Sequence, residues 1–229
     1  MYAAFVKWLR VAVHPLSLLP LALLIFDTAM GRLTVNPIQD LTLRTGKPAL
    51  YLLMLCLACT PASLLFGWKW ATALRKPLGL YSFLYICLHL LIFAAVDYGL
   101  NLELIVEAVA EKRYVLAGFS AFLLLLPLAL TSTKESMRRL GRRWKRLHLL
   151  IYPAGLLAVL HYLWLSKVPR EPLIFAAVLL ALLAVRLPAI RRRLAAGRQT
   201  RTARAAGAGD GARRGAAPAR RPEQSPPPG

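Results

Sequence analysis

Two histidines, His148 and His161, lie in one hydrophobic stretch of the chain, and a third, His89, lies in another. A titratable side chain is costly to place in the middle of a long apolar segment, so it indicates a functional site. Imidazoles that face each other from two helices hold haem iron without a covalent link to the protein. The sequence has no C-x-x-C-H motif, which excludes a covalently attached c-type haem. The three histidines therefore predict b-type haem in a helical membrane bundle.

The depth of each histidine follows from the helical rise of about 1.5 Å per residue. Counted from the cytoplasmic end of its helix, His89 lies at roughly 17 Å and His161 at roughly 21 Å. We therefore expect these two to share one haem iron in the outer half of the bundle. His148 lies within about 2 Å of the inner end of its helix, which leaves about 20 Å along the axis for a second haem.

His148 and His161 do not share one face of an ideal helix, because thirteen residues turn the side-chain direction by roughly 140°. Pro153 lies between them and lacks a backbone N–H, so we expect a kink that lets both face haem. The inner site has no obvious second ligand. His14 matches His148 in depth and is either that ligand or an interfacial residue beside Pro15.

Six cations ring the inner end of the predicted bundle: Arg75, Lys76, Arg142, Arg143, Lys145 and Arg146. Their first role is to keep this end of the molecule in the cytoplasm. Cationic side chains also bind carboxylates and phosphates, so one or two of them are candidate partners of haem propionates or of a flavin phosphate. These candidates are Arg75, Arg142, Lys145 and Arg146.

The elements that must position these side chains are membrane helices. Apolar residues make up 58% of the 229 residues although the formal charge is +20, and the charge is segregated from the apolar runs. This pattern is typical of a polytopic membrane protein and not of a nucleic-acid-binding domain, for which no motif is present. Six segments are long enough to span a bilayer as helices. They are residues 11–30, 48–68, 78–97, 114–133, 147–166 and 172–187.

The distribution of cations sets the predicted orientation. Lys7 and Arg10 precede the first span, and residues 134–146 carry seven basic side chains against one glutamate. The stretch 98–113 instead carries three glutamates. Because positively charged short loops stay in the cytoplasm, both termini are predicted to be inside. The fold is thus predicted to be an all-α, six-helix haem-binding domain over residues 1–190, followed by a disordered cytoplasmic tail over residues 191–229 that is rich in Arg, Ala, Gly and Pro.

Two further patterns have a structural and a functional interpretation. Cys56 and Cys59 form a C-x-x-C within an apolar span, which favours small packing residues over a redox or metal pair. Glutamates recur every four residues in the outer loop, at Glu103, Glu107 and Glu111, which predicts a short amphipathic helix at the outer surface. Its acidic face is either simply solvated or a docking patch for an external partner.

Three stretches carry a family resemblance: "NPIQDLTLRTGKPAL", "LRKPLGLYSFLYICLHL" and "LTSTKESMRRLGRRWKRLHLLIYPAGLLAVLHYLW". The chain resembles the MsrQ (YedZ) family within the ferric-reductase-like transmembrane group. Members of that family are haem-binding membrane subunits of bacterial MsrPQ methionine sulfoxide reductase systems. The resemblance covers roughly residues 8 to 190, and the tail has no counterpart.

The resemblance implies a role in electron transfer in the bacterial inner membrane. A quinol or a cytosolic flavin reductase would supply the electrons, and haem b would carry them, with FMN as a further cofactor. They would pass to a periplasmic molybdopterin enzyme, MsrP, which reduces methionine sulfoxide and so repairs oxidised envelope proteins. His89, His148 and His161 coincide with the family's haem histidines. Broader ferric reductases carry two histidines on each of two helices, whereas the third span here has only His89.

Two other classes of function remain open from the residues alone. Intramembrane histidines also serve transporters and proton relays that contain no haem. A related cytochrome b, such as a ferric reductase, would use the same histidines, but the chain has no G-x-G-x-x-G segment to bind a nicotinamide donor. The catalytic step is therefore predicted to take place on another subunit.

Overall fold

A computed structural model describes residues 2–187 and 190, and within them every regular element is a helix. The predicted tail, residues 191–229, lies outside the described part of the chain. Three segments have other helical geometry: 3₁₀ at Lys69–Leu74 and His148–Leu150, and π at Ile92–Asp97. The α-helices are α1 (Tyr2–Ala29), α2 (Pro37–Phe66), α3 (Arg75–Leu91), α4 (Leu102–Glu111), α5 (Arg113–Leu130), α6 (Lys134–Leu140), α7 (Arg142–Leu147), α8 (Ile151–Leu165) and α9 (Arg170–Ala184).

Five helical stretches in the described residues are long and apolar enough to cross a membrane, and they correspond to the first five predicted spans. The sixth predicted span corresponds to α9, which has 15 residues. At about 1.5 Å per residue it is roughly 22 Å long, less than the hydrocarbon core of about 30 Å. The five long stretches are Ala4–Ala29, Pro37–Phe66, Lys69–Asp97, Arg113–Leu130 and Arg142–Leu165.

Helix α2 begins eleven residues before the predicted start of its span, because its first turns are polar and leave no apolar signal. The Asn36 side chain accepts a hydrogen bond from the N–H of Gln39 and caps the helix, and Pro37 occupies the first turn. Gly67 ends it with φ of 74°, a left-handed conformation that glycine adopts without strain. The added outer turns of α2 reach the candidate site.

Helix α2 is also the centre of the bundle. Half of its apolar stretch is buried, a larger share than in the other four long stretches. One core cluster joins it to α5, α8 and α9 through residues such as Leu57, Leu125, Ala154 and Leu179. A second cluster joins it to α3 around the fully buried Tyr85. Large apolar side chains elsewhere are exposed, as expected for helices that face lipid.

Side chains from neighbouring helices satisfy backbone groups where proline disturbs a helix. Beside Pro20, the Tyr85 hydroxyl accepts from the N–H of Leu21 at 3.0 Å and donates to the Ser17 carbonyl at 2.8 Å. In a regular helix those two backbone groups would bond to each other. Tyr85 is thus inserted into the hydrogen-bond ladder of α1, and it fixes α1 against α3.

The smaller predicted features occur as follows. The short amphipathic helix predicted around the three glutamates is present as α4; the Asn101 side chain caps it and Ala108 is its buried residue. Cys56 and Cys59 are buried free thiols. They donate to the carbonyls of Arg75 and Leu55, both at 3.2 Å, so in this structure they act as packing residues.

Candidate functional site

His89 of α3 and His161 of α8 lie beside each other within the helical bundle. Their ring centroids are 6.1 Å apart and their planes are perpendicular. The structure therefore brings together the two histidines that were predicted to share a level. Two metal–nitrogen bonds of about 2 Å, added to the size of the rings, would separate two axial imidazoles by about 6 to 6.5 Å. The observed separation fits one iron held between them.

Each of the two rings is oriented by a backbone carbonyl of a different helix. His89 Nδ1 lies 3.0 Å from the Thr42 carbonyl of α2, with the Thr45 hydroxyl at 3.4 Å. His161 Nδ1 lies 2.6 Å from the Tyr114 carbonyl of α5. A carbonyl accepts hydrogen bonds only, so both Nδ1 atoms carry the proton and each Nε2 is left as a coordinating nitrogen.

Two glycines make room for these rings. A Cβ atom built on Gly46 of α2 would lie 3.1 Å from the His89 ring, and one on Gly118 of α5 would lie 2.7 Å from His161 Nδ1. Real Cβ atoms essentially never approach another atom as closely as 2.7 Å. A side chain at Gly118 would require the His161 ring or the helix to shift, and one at Gly46 would require the His89 ring to give way by a few tenths of an ångström.

The backbone changes geometry directly after His89. Helix α3 ends at Leu91, and the π-helix Ile92–Asp97 continues the chain to the outer surface. π-Helical turns are rare and are often found at functional sites, since they shift the side-chain register that follows them. The pattern of residues in this segment gave no sign of the change.

His148 lies in the 3₁₀ segment just before α8, in a second and separate location. Its ring stacks on that of Trp144 at 3.9 Å between centroids, and its Nδ1 lies 3.2 Å from the Trp144 carbonyl. The indole of Trp144 in turn donates to the Thr131 carbonyl at 2.9 Å. The chain is 3₁₀ over His148–Leu150, just before Pro153, so the helix is interrupted between the two histidines where the proline removes a backbone donor.

His14 contacts a tyrosine of α3. It is exposed on α1, and its ring contacts among the described residues are with Tyr81 of α3, whose hydroxyl lies 2.8 Å from Nδ1. The predicted cationic partners are exposed: Arg142, Lys145 and Arg146 lie on α7, and Arg75 begins α3. Arg75 lies within electrostatic range of His148.

A cluster of three polar side chains lies close in sequence to the histidine pair. Glu171, at the start of α9, accepts hydrogen bonds from Lys47 at 2.8 Å and from Tyr162 at 2.5 Å. Lys47 follows Gly46, and Tyr162 follows His161. The ammonium group of Lys47, together with the Tyr162 hydroxyl, holds the pKa of the exposed Glu171 carboxyl below its usual value. This cluster joins α2, α8 and α9 through the residues that follow Gly46 and His161 in the sequence.

Several residues of this site were not predicted. Gly46 and Gly118 carry a weak signal, since glycine inside an apolar helix often marks a close approach. The carbonyls of Thr42 and Tyr114 carry none, because every residue has one. Arg186, just beyond α9, was not singled out from the sequence, yet it hydrogen-bonds α2 and α8.

Residues 45–159 match the family model described as the ferric reductase like transmembrane component. No solved structure matches the chain. Relatives named protein-methionine-sulfoxide reductase heme-binding subunit MsrQ include one from Rhodospirillum rubrum, 46% identical over 80% of this chain and 90% of the relative. Another is from Deinococcus radiodurans, 45% identical over 79% and 90%, and one from Xanthomonas axonopodis is 42% identical over 78% and 85%.

The matched region contains both His89 and His148, and the similarity to the relatives extends over most of the chain. The resemblance drawn from the three sequence stretches is thereby confirmed. The chain belongs to the ferric reductase like transmembrane component family and, within it, to the MsrQ family of membrane subunits.

Proposed function

We propose that this chain is a haem b subunit that transfers electrons across the bacterial inner membrane to a periplasmic methionine sulfoxide reductase of the MsrP type. The observation that carries the proposal is the pair of His89 and His161, 6.1 Å apart between centroids. Both rings have Nδ1 bound to a carbonyl, so both offer Nε2 to one iron. The names of the relatives, which describe heme-binding subunits, support the same cofactor.

The protein residues hold and shield the cofactor, and haem, when bound, supplies one-electron transfer. The Thr42 and Tyr114 carbonyls fix the tautomer and the direction of the two imidazoles. Gly46 and Gly118 let the flanking helices approach the rings. The apolar helices exclude water, and this burial tunes the reduction potential.

We assign His148 to a second, inner haem, which electrons would reach first. Its stacking on Trp144 and its position after α7 place it among the cations at the inner end. Arg75, Arg142, Lys145 and Arg146 are the candidate partners of propionates or of a flavin phosphate there. His14 stays with Tyr81, so we assign no second protein ligand to this iron.

The proposed topology has six spans with both termini in the cytoplasm. The five long stretches support five spans, and α9 would be a short sixth. Lysines and arginines before α1, before α3 and in residues 134–146 support the cytoplasmic placement of those segments. Residues 1–190 would form the haem domain, and residues 191–229 a basic cytoplasmic tail.

We propose the electron donor and acceptor by analogy with the family. Quinol or a cytosolic flavin reductase would deliver electrons at the inner face, with FMN as a further cofactor. The sulfoxide would be reduced on the periplasmic molybdopterin partner and not on this chain. Electrons would therefore leave from the outer level, where His89 and His161 lie.

The experiment that tests the proposal is the absorption spectrum of the protein, purified in detergent after haem-replete expression, oxidised and then reduced. We expect a Soret band that shifts on reduction. His89→Ala and His161→Ala should each remove one and the same spectral component, and His148→Ala a different one. A Tyr81→Phe variant, which alters the His14 contact only, serves as the matched control and should keep both components.

Two results would contradict the proposal. Protein without a Soret band would indicate a haem-free transporter or proton relay. Loss of one identical component in all three histidine variants would leave a single haem and remove the inner one.

A further inference from the structure

A groove lies between the first half of α1 and the first turns of α3, away from the histidine pair. It encloses a volume of about 300 Å³. One residue of α1 and five of α3 line it: His14, Lys76, Pro77, Leu80, Tyr81 and Leu84. A second groove, of about 410 Å³, shares His14 and extends along α1 past Arg10 and Lys7. We call the two together the α1–α3 groove.

His14 is the residue that both parts of the groove share, and α3 holds its ring in place. The Tyr81 hydroxyl lies 2.8 Å from His14 Nδ1, and the two rings meet edge to face at 5.6 Å. Among the described residues, the other ring nitrogen, Nε2, has no hydrogen-bond partner. When the hydroxyl donates to Nδ1, Nε2 carries the proton and can donate to an acceptor in the groove.

The charged side chains of the groove are all cationic. They are exposed and lie on both helices: Lys7, Arg10 and Lys76. None of the three takes part in an ion pair within the described part of the chain. Helix α3 and the 3₁₀ segment before it contain no acidic residue. The one acidic residue of α1, Asp27, lies thirteen residues beyond His14 and is paired with an arginine of α2. The groove therefore favours an anionic group.

The other side of the groove is apolar and runs along α3 away from Lys76. Pro77, Leu80 and Leu84 are three or four residues apart, so they lie on one face of the helix. The distance from Lys76 to Leu84 is eight residues, which is about 12 Å of helix. Leu80 and Leu84 are each 38% exposed. A ligand that matches this surface has an anionic head and a hydrocarbon chain at least that long.

We propose that the α1–α3 groove binds one anionic phospholipid. Its phosphodiester lies beside Arg10, His14 and Lys76, and one acyl chain follows the apolar face of α3. Basic pockets between membrane helices on the cytoplasmic side are typical sites for anionic lipid head groups. In the proposed topology this end of α1 and α3 faces the cytoplasm, so the lipid comes from the inner leaflet.

The bound lipid has a structural role that does not depend on haem. Only 11% of the apolar stretch of α1 is buried within the protein. A lipid that contacts α1 through Arg10 and α3 through Lys76 adds a second connection between these helices, next to the bond between His14 and Tyr81. A ligand that binds only the folded protein also stabilises it.

The test is native mass spectrometry of the full chain, purified in detergent, freed of lipid and then titrated. The two probes are phosphatidylglycerol and phosphatidylcholine, which has the same phosphodiester but no net charge. We expect one phosphatidylglycerol per chain to bind at concentrations at which phosphatidylcholine does not. Thermal unfolding with and without each lipid should show a higher midpoint with phosphatidylglycerol only.

Two pairs of substitutions test the cations. Arg10→Gln combined with Lys76→Gln should weaken the binding of phosphatidylglycerol roughly thirty-fold, since each cation near an anionic head group contributes roughly five-fold. Arg138→Gln combined with Arg143→Gln removes the same charge from exposed positions of α6 and α7. This control pair should keep the affinity of the unmodified chain.

A second variant tests the apolar face without changing any charge. Leu84→Trp fills the groove and should also abolish the binding of one phosphatidylglycerol per chain. Leu123→Trp is the matched control, because Leu123 is 50% exposed on α5 and does not line the groove. The unfolding midpoints of the lipid-free variants show whether each of them is folded.

Three results would overturn the inference. The first is equal binding of the two lipids, and the second is equal weakening by the two glutamine pairs. The third is inorganic phosphate raising the unfolding midpoint as much as phosphatidylglycerol does, which would assign the groove to a soluble anion. None of these measurements reads the haem spectrum, so their outcome is independent of the proposed electron-transfer function.

Discussion

Gly118 approaches the imidazole of His161 more closely than Gly46 approaches that of His89. A Cβ at Gly118 would lie 2.7 Å from Nδ1 of His161, whereas one at Gly46 would lie 3.1 Å from the His89 ring. At 3.1 Å the His89 ring would have to give way by a few tenths of an ångström, whereas at 2.7 Å the His161 ring or the backbone would have to shift. Because Nδ1 is the atom that binds the Tyr114 carbonyl, a side chain at position 118 would disturb the bond that fixes the tautomer.

We therefore expect Gly118→Ala to displace the His161 ring and to reduce the haem bound at the outer level. Overpacking of this kind costs about 1–3 kcal/mol, which corresponds to a loss of roughly 5- to 150-fold in haem affinity. Haem titration of apoprotein, followed by the Soret band, measures it. Gly155→Ala is the control, since its Cβ would meet Leu57 at an ordinary 3.5 Å. Equal affinities in Gly118→Ala and wild type would contradict the expectation.

The packing of helices depends on polar side chains that bond to backbone groups whose regular i to i+4 hydrogen bond is missing. The hydroxyl of Tyr85 bridges Leu21 and Ser17 in α1. Tyr85 has no exposed surface, and Ser17 is 4% exposed. Since neither lipid nor packed apolar side chains can replace the hydroxyl, the contact between α1 and α3 depends on it.

Tyr85→Phe should accordingly destabilise the bundle while keeping the volume of the ring. The N–H of Leu21 and the carbonyl of Ser17 would lose their partner, at a cost of about 1–3 kcal/mol for a buried group left unsatisfied. Thermal unfolding in detergent, followed by circular dichroism, should show a lower midpoint. Tyr51→Phe, at an exposed position of α2, is the matched control. An unchanged midpoint for Tyr85→Phe would contradict this expectation, because it would mean that the Leu21 N–H and the Ser17 carbonyl can bond to each other without the hydroxyl.

The helices and the shared level of His89 and His161 could be predicted because both depend only on apolar length and helical rise. Which face of a helix meets its neighbours could not, since lipid-facing and buried positions are both apolar and leave no periodic signal. For that reason Gly46 and Gly118 were not recognised as contacts of the two histidines. The start of α2 was also missed, because its outer turns are polar.

Across the whole molecule, the charges lie where the proposed topology requires them. The amphipathic α4 carries Glu103, Glu107 and Glu111 between two long helices. The short helices α6 and α7 together carry seven basic side chains and one acidic side chain, Glu135. The two groups are separated by α5, which is long and apolar enough to cross a membrane. They should therefore face opposite compartments.

Single cysteines introduced at these two places should react from opposite sides. We expect Glu107→Cys to be labelled by a membrane-impermeant maleimide in intact cells, because it lies on the exposed face of α4. Arg139→Cys, exposed on α6, should be labelled only after permeabilisation. The unmodified chain, with two of its three cysteines buried, gives the background. Labelling of both variants from the same side would contradict the topology.

The two carbonyls that orient His89 and His161 belong to α2 and α5, whereas the histidines belong to α3 and α8. Each imidazole therefore acquires its coordinating tautomer from a helix other than its own. The pair is complete only when four helices have assembled, and a chain with one of them displaced would keep its apolar helices but not its iron site. Bound haem would therefore indicate that these four helices have all packed together.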